Sequence, residues 1–270
     1  MGSNIAYWLS RGDYHIRAVF SKVENDAVNV ANKIPTGVAP NLESTLKKCD
    51  IVFITIPESE MTSVLEQISA FSRTKTELLI HMSGVLPSSI IGLAGMEYKK
   101  LSMHPMAGIP PLDVDNNPFT GVCFGVEGDD EAIPIAHKII KTLGGYSCEI
   151  DVEHKGIYHT SAGFAANAVY ALIFASREML TKAGFPEDDI PKVVANLMTR
   201  AIRNYTELGL TEGMTGPITR DDFETLATHL QSIENNELQQ LYIDSIGICA
   251  DILGKRNRFD KLVESFVNKK

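Results

Sequence analysis

The hydrophobic positions of this 270-residue chain change rhythm once. Through residue 152, short apolar runs alternate with amphipathic stretches. Residues 16–20, 51–56, 78–80, 101–103, 121–126 and 146–150 read as strands. The run 51–56 is unbroken and suits a strand buried on both faces. Residues 2–10, 25–33, 42–48, 60–71, 88–96 and 129–143 read as helices, with Ser88 or Ser89 as a cap for one and Asp129 near the cap of another. From residue 153 no strand-length run bounded by turns remains. Residues 153–182 are apolar nearly all round, and a helix of that kind is normally buried on every side. Helices over 189–208, 217–232, 237–253 and 259–267 follow, Thr215 capping the third from the end with Pro217 in its first turn. The pattern predicts an α/β half over residues 1–152 and an all-α half over 153–270.

The α/β half is organised around residues 78–108. Leu78-Leu79-Ile80 runs into His81-Met82-Ser83-Gly84, and Leu101-Ser102-Met103 runs into His104-Pro105-Met106-Ala107-Gly108. A strand, a helix and a strand at this spacing form a βαβ unit, whose two strands emerge at one carboxyl edge of a parallel sheet. Open α/β sheets bind their ligands at that edge. Ser83 and His104 are therefore the candidate catalytic pair. Imidazole titrates near neutrality, so His104 can take or return a hydroxyl proton, with Ser83 as its support or as a turn-former. His81 falls inside its strand and reads as structural.

The alternation of strands and helices also points to a dinucleotide-binding Rossmann half, whose G-x-G-x-x-G turn sets a pyrophosphate on a helix amino terminus. Met1-Gly2-Ser3-Asn4-Ile5-Ala6 looks like that motif from its third glycine onward, which makes Gly2 and Ser3 cofactor candidates. The first strand is not in the sequence. Five buried apolar residues at roughly 1.5–3 kcal/mol each would rival the stability of a whole domain. The expectation is a truncated version of a longer chain; a substitute segment in the slot or a poorly held first helix are the alternatives. Ser21-Lys22 follows the run 16–20. Small polar and basic residues there suit the 2′-phosphate of NADP better than the ribose hydroxyls of NAD. Ile56 and Pro57, where the run 51–56 stops, complete the candidate cofactor residues.

Composition narrows the partners. A net charge of −9 argues against a broad nucleic-acid surface. Four cysteines without paired or ligand spacing read as reduced thiols of a cytoplasmic protein. The longest nearly apolar run, 162–175, is too short to span a bilayer and contains Asn167. No histidine spacing supports a metal site, and no Gly-x-Ser-x-Gly supports a hydrolase.

Taken together, His81-x-Ser83-Gly84, His104-Pro105, Tyr158-His159 with Asn167, and Thr215-Gly216-Pro217-Ile218-x-Arg220 with Thr225 and His229 resemble a family of NADP oxidoreductases. That family has a Rossmann-like amino half and a carboxyl domain of unknown function 2520. The resemblance covers nearly the whole chain. It implies a fold akin to pyrroline-5-carboxylate reductase, 6-phosphogluconate dehydrogenase and coenzyme-F420-dependent NADP reductases, and a homodimer through the helical half. Asp221 stands where the family usually has glycine. The segment from His104 to Gly108 is also similar to the one carrying the catalytic histidine of prephenate and arogenate dehydrogenases. The β-hydroxyacid dehydrogenases place Lys-x-x-x-Asn on the helix that here holds Asn167, but Gly163 occupies the lysine position, so their mechanism does not carry over.

Tyr158, His159 and Asn167 interrupt an apolar helix and must find partners, either substrate or neighbouring helices. Asp222, Thr225 and His229 share one helical face, and Arg220 can grip a carboxylate bidentately or pair with an aspartate. The expected function is hydride transfer, NADP-linked rather than NAD-linked, to or from a small carbonyl or hydroxyl substrate that carries a carboxylate in one version. His104 is then the proton carrier, and His159, Asn167, Arg220 and Tyr158 bind substrate. A prephenate-type dehydrogenase and a non-catalytic NADP-binding dimer remain the alternatives.

Overall fold

The computed structural model describes residues 1–71, 74–95 and 97–268. The chain divides into two compact units, residues 1–165 and 166–270.

The first unit is α/β. It opens with α1 (Gly2–Ser10), whose Ile5 and Leu9 are buried, and β1 (Ala18–Val19). The elements α2 (Glu24–Ala31), β2 (Gly37–Val38) and α3 (Leu42–Lys48) follow, the last capped by Asn41, whose side chain accepts from the Ser44 amide. Then come β3 (Ile51–Ile54), α4 (Glu58–Ser69), β4 (Leu78–His81), a 3-10 helix (Ser88–Ala94) and β5 (Lys99–Pro105). The unit continues through β6 (Cys123–Gly128), α5 (Ile133–Leu143), β7 (Tyr146–Glu149) and α6 (Lys155–Ala162).

The strands form two sheets, β1 with β2, and β3-β4-β5-β6-β7. No ladder joins β1 to β3 among the described residues. In the doubly wound order the first strand of a Rossmann half lies at that break. β1 has a single neighbour, which accounts for its covering only two of the five residues the apolar pattern marks.

The larger sheet is covered on both faces. Ile5 and Leu9 of α1 and Ile139, Ile140 and Leu143 of α5 pack with Leu78, Ile80, Leu101 and Met103 on one side. Met61, Leu65 and Ile68 of α4, with Ile91, pack with Val52, Ile54 and Leu79 on the other. All four residues of β4 are buried, as a central parallel strand requires.

The sheet departs from an all-parallel one at a single ladder. β6 runs antiparallel to β5, and β7 then runs parallel to β6. A parallel return needs a crossover helix. The connection from Met106 to Val122 contains Pro110, Pro111 and Pro118 and has none. The helix expected over 88–96 is a 3-10 helix ending at Ala94, and Met96 lies outside the described residues.

The second unit is helical. A π-helical turn over residues 163–167 spans the division between the units, and the second then holds α7 (Ala168–Lys182), α8 (Ile190–Glu212), a 3-10 turn (Pro217–Arg220), α9 (Phe223–Ser232), α10 (Asn236–Ile252) and α11 (Arg256–Val267). The single helix expected over 153–182 is thus interrupted at the π turn. Its expected burial also fails, because α7 holds no buried residue and Tyr170 and Phe174 are 74% and 54% exposed. The helix expected over 217–232 breaks at Asp221, which adopts a left-handed φ of 59° and pairs with Lys255 and Arg258. Asp222 rather than Thr215 then caps the following helix, its carboxylate accepting from the Thr225 amide and hydroxyl. No helix among the described residues is long and apolar enough to cross a membrane.

Candidate active site

The ladder between β4 and β5 is parallel and sets His81 opposite Ser102. The ladder ends at that pair; Ser83 follows two residues beyond β4, and His104 lies two residues beyond Ser102, near the end of β5. Side chains alternate along a strand, so Ser102 and His104 share one face of β5. The third wall is α6, which brings Tyr158 and His159 to the His104 ring. The His104 and His159 ring centroids lie 5.4 Å apart.

Tyr158 fixes the imidazole. Its hydroxyl donates to the His104 carbonyl at 3.2 Å and lies 3.1 Å from His104 Nδ1. A phenol has one proton to give. With that proton on the carbonyl, Nδ1 must carry its own hydrogen, and the lone pair sits on Nε2. That end of the ring faces Gly84, where an added Cβ would lie 2.9 Å from Nε2 and would run into the His159 ring. Glycine is therefore the residue the turn can hold. Gly125 on β6 makes room for the Tyr158 hydroxyl in the same way.

Burial pushes the His104 imidazole down to about 4; His159 and Lys155 add to the fall, and Glu58 opposes it. His104 is a neutral imidazole at physiological pH. Burial pushes the Tyr158 hydroxyl up to about 12, so it stays protonated.

Ser83 is not the support of His104. Its hydroxyl donates to Glu58 Oε1, and its oxygen accepts from the Val85 and Leu86 amides. Every hydrogen-bonding position of the hydroxyl is thereby occupied, and Tyr158 takes the supporting place. Glu58, at the start of α4, passes unnoticed in the sequence because an acidic residue in a first helical turn is ordinary there. His81 is fully buried: Nδ1 accepts from the Ser83 amide, so Nε2 donates to the Pro87 carbonyl at 3.2 Å. Both nitrogens are satisfied in the neutral ring.

The remaining candidates lie as follows. Gly2 and Ser3 begin α1, whose amino end has no side-chain cap, and the Gly2 backbone lies against Thr55 at the end of β3. Ile56 and Pro57 lead from β3 into α4, beyond a strand that ends at Ile54 rather than Ile56. Ser21 accepts from the Val23 amide, and Lys22 pairs with Glu60 on the surface. Asn167 ends the π turn and Arg220 ends a 3-10 turn, both exposed on the helical unit. Among the described residues no group of three His, Cys, Asp or Glu side chains is placed to hold a metal.

Two family models match the chain. Residues 1–83 match the NADP oxidoreductase, coenzyme F420-dependent, and residues 122–245 match a domain of unknown function (DUF2520).

No curated protein matches the chain. Solved structures share its fold. A Bacteroides fragilis protein assigned to the NADP oxidoreductases is 21% identical, with a TM-score of 0.69 over 95% of this chain and 93% of that one. A Thermotoga maritima protein is 22% identical, with a TM-score of 0.71 over 93% and 95%. The Plasmodium falciparum pyrroline carboxylate reductase, with NADP bound, is 15% identical, with a TM-score of 0.57 over 98% and 93%. The carboxyl edge that carries His104 is the edge at which open α/β sheets receive their ligands.

Proposed function

We propose that this chain is an NADP oxidoreductase that moves a hydride between NADP and a small carbonyl or hydroxyl substrate, with His104 as the proton carrier. One observation carries the reading: at the carboxyl edge of β5, the Tyr158 hydroxyl reaches both the carbonyl and the Nδ1 of a buried His104, from which we assign the hydrogen to Nδ1 and the free lone pair to Nε2. The cofactor supplies or accepts the hydride. In oxidation, His104 Nε2 takes the hydroxyl proton as hydride leaves the same carbon, and a carbonyl results; reduction reverses both transfers. The imidazolium so formed keeps its Nδ1–H on Tyr158. Glu58 and Ser83 hold the turn that carries Gly84 against the ring.

The cofactor residues fit a dinucleotide. The uncapped first turn of α1, at Gly2 and Ser3, presents amide donors suited to a pyrophosphate. Lys22 and Ser21 at the end of β1 suit the 2′-phosphate, which favours NADP over NAD. On residue chemistry, Arg220 is assigned to a substrate carboxylate, and His159 and Asn167 to further substrate hydrogen bonds. Free thiols suit a cytoplasmic location.

Two copies are proposed to associate through the helical unit. α7 and α8 expose Tyr170, Phe174, Leu197, Ile202 and Tyr205, and clustered exposed apolar residues mark interaction surfaces.

Calorimetric titration of the full chain with NADPH and with NADH, together with NADPH-linked turnover across small carbonyl acids, tests the reading. NADPH is expected to bind more tightly than NADH, and His104→Asn to keep that binding while losing turnover. Absence of NADPH binding, or unchanged turnover in H104N, overturns it.

A further inference from the structure

Lys155, the first residue of α6, is 2% exposed. A buried ammonium is costly unless it is paired. Its Nζ donates to Glu127 Oε1 on β6 at 2.7 Å and to Ser102 Oγ on β5. The same Glu127 oxygen accepts from the Ser88 amide at 2.7 Å. Ser102, wholly buried, passes its own proton to the Ser83 carbonyl at 3.4 Å. One ammonium is thus tied to two adjacent strands and, through Ser102, to the turn at Ser83 and Gly84.

These ties hold the two sides of the His104 ring. Gly84 lies against one side. His159 lies at that same side, against Gly84, and Tyr158 lies at the Nδ1 end; they follow Lys155 by four and three residues, which on a helix places them over the same turn. Buried ion pairs are often no more stabilising than apolar residues of the same size. Stability is therefore a weak reason for a lysine here, whereas its placement between the two walls is a specific one.

We propose that Lys155 is a positioning residue: by binding Glu127 and Ser102 at once, it fixes α6 and the Ser83–Gly84 turn around the His104 ring. The inference rests on the assignment of His104 as proton carrier. The titratable and charged groups that face His104 are His159, Tyr158 and Lys155 from α6 and Glu58 from α4. Lys155 disfavours the imidazolium by its charge, and the packing it maintains disfavours it by excluding water. Both effects have the same sign, so losing Lys155 moves His104 towards ordinary imidazole behaviour.

Side-chain nitrogen NMR of the histidines in the full chain, with neither substrate nor cofactor, tests this, the His104 signal being assigned with H104N. In Lys155→Met the His104 ring is expected to lose its single fixed tautomer, and its titration midpoint to rise by about one pH unit or more. Ser102→Ala is expected to shift it in the same direction by less. A folded K155M whose His104 nitrogen shifts and midpoint equal those of the wild type overturns the proposal. Should K155M fail to fold, S102A, which keeps the ion pair with Glu127, decides by the same reading, an unchanged His104 again overturning it. No turnover enters this measurement. Its failure leaves hydride transfer standing, whereas unchanged turnover in H104N removes the catalytic reading and leaves the NMR result intact.

Discussion

Tyr158 is bound twice to the same histidine: its hydroxyl reaches both the carbonyl and the Nδ1 of His104, with the rings edge-on at 85°. The double tie decides which ring nitrogen carries hydrogen and which is free to work.

Removing that hydroxyl in Tyr158→Phe leaves a buried Nδ1–H without its acceptor. Losing a hydrogen bond of this kind costs about 1–3 kcal/mol, so turnover is expected to fall roughly tenfold or more. NADPH affinity should not move. Steady-state kinetics beside calorimetric NADPH titration separates the two.

His104 works as a base only while neutral. Because burial and its neighbours hold it down to about 4, kcat/KM for the oxidation of a hydroxyl substrate should stay level from neutrality through mild acid. It should decline only as the pH nears that value. A decline centred near 6.5 would show an ordinary, solvated imidazole and would contradict the closed packing around the ring. His104→Asn should lower turnover by roughly 10²–10⁴-fold at every pH.

His81 makes stability pH-dependent. Burial pushes its folded-state value down to about 4, from the 6.5 of an ordinary solvated imidazole. Between those two values the unfolded chain binds a proton that the folded chain refuses. Stability is complete above about pH 6.5 and drains away as the pH falls towards 4, by about 3 kcal/mol from this residue. Urea unfolding of the wild type and His81→Gln at about pH 7 and about pH 4.5 checks this, the variant losing less on acidification.

The apolar surface of α7 and α8 predicts self-association. Ile202 is 64% exposed and Phe174 54% exposed in the single chain. A glutamate at either position would put a charge where the partner's apolar face should lie. Phe174→Glu and Ile202→Glu are expected to give monomers by sedimentation at concentrations where the wild type is dimeric. A wild type that sediments as a monomer excludes the interface.

Local chemistry was legible wherever the chain's own neighbours decide structure. Residues 2–10 and 42–48 carry a periodic apolar face or a side-chain cap, and both helices form over those spans. The run from 78 to 105 likewise forms two adjacent parallel strands, with His81 opposite Ser102 and with Ser83 and His104 two residues beyond that pair. Elements that depend on distant partners were read less well. β1 is short because one edge lacks a neighbour, and β6 reverses because a proline-containing loop replaces a crossover helix. The apolar helix after residue 153 looked buried because composition records what a surface prefers, not whether this chain alone supplies the cover.

The site divides along the same line. The sequence by itself determined that a serine and a histidine finish adjacent parallel strands, because periodicity and spacing are properties of the chain. Only the tertiary structure decided that Ser83 turns to Glu58, that Tyr158 holds His104, and that Lys155 joins Glu127 and Ser102 beneath them. Those pairs are 25 to 54 residues apart, and which polar groups meet is settled by which of them packing strips of water.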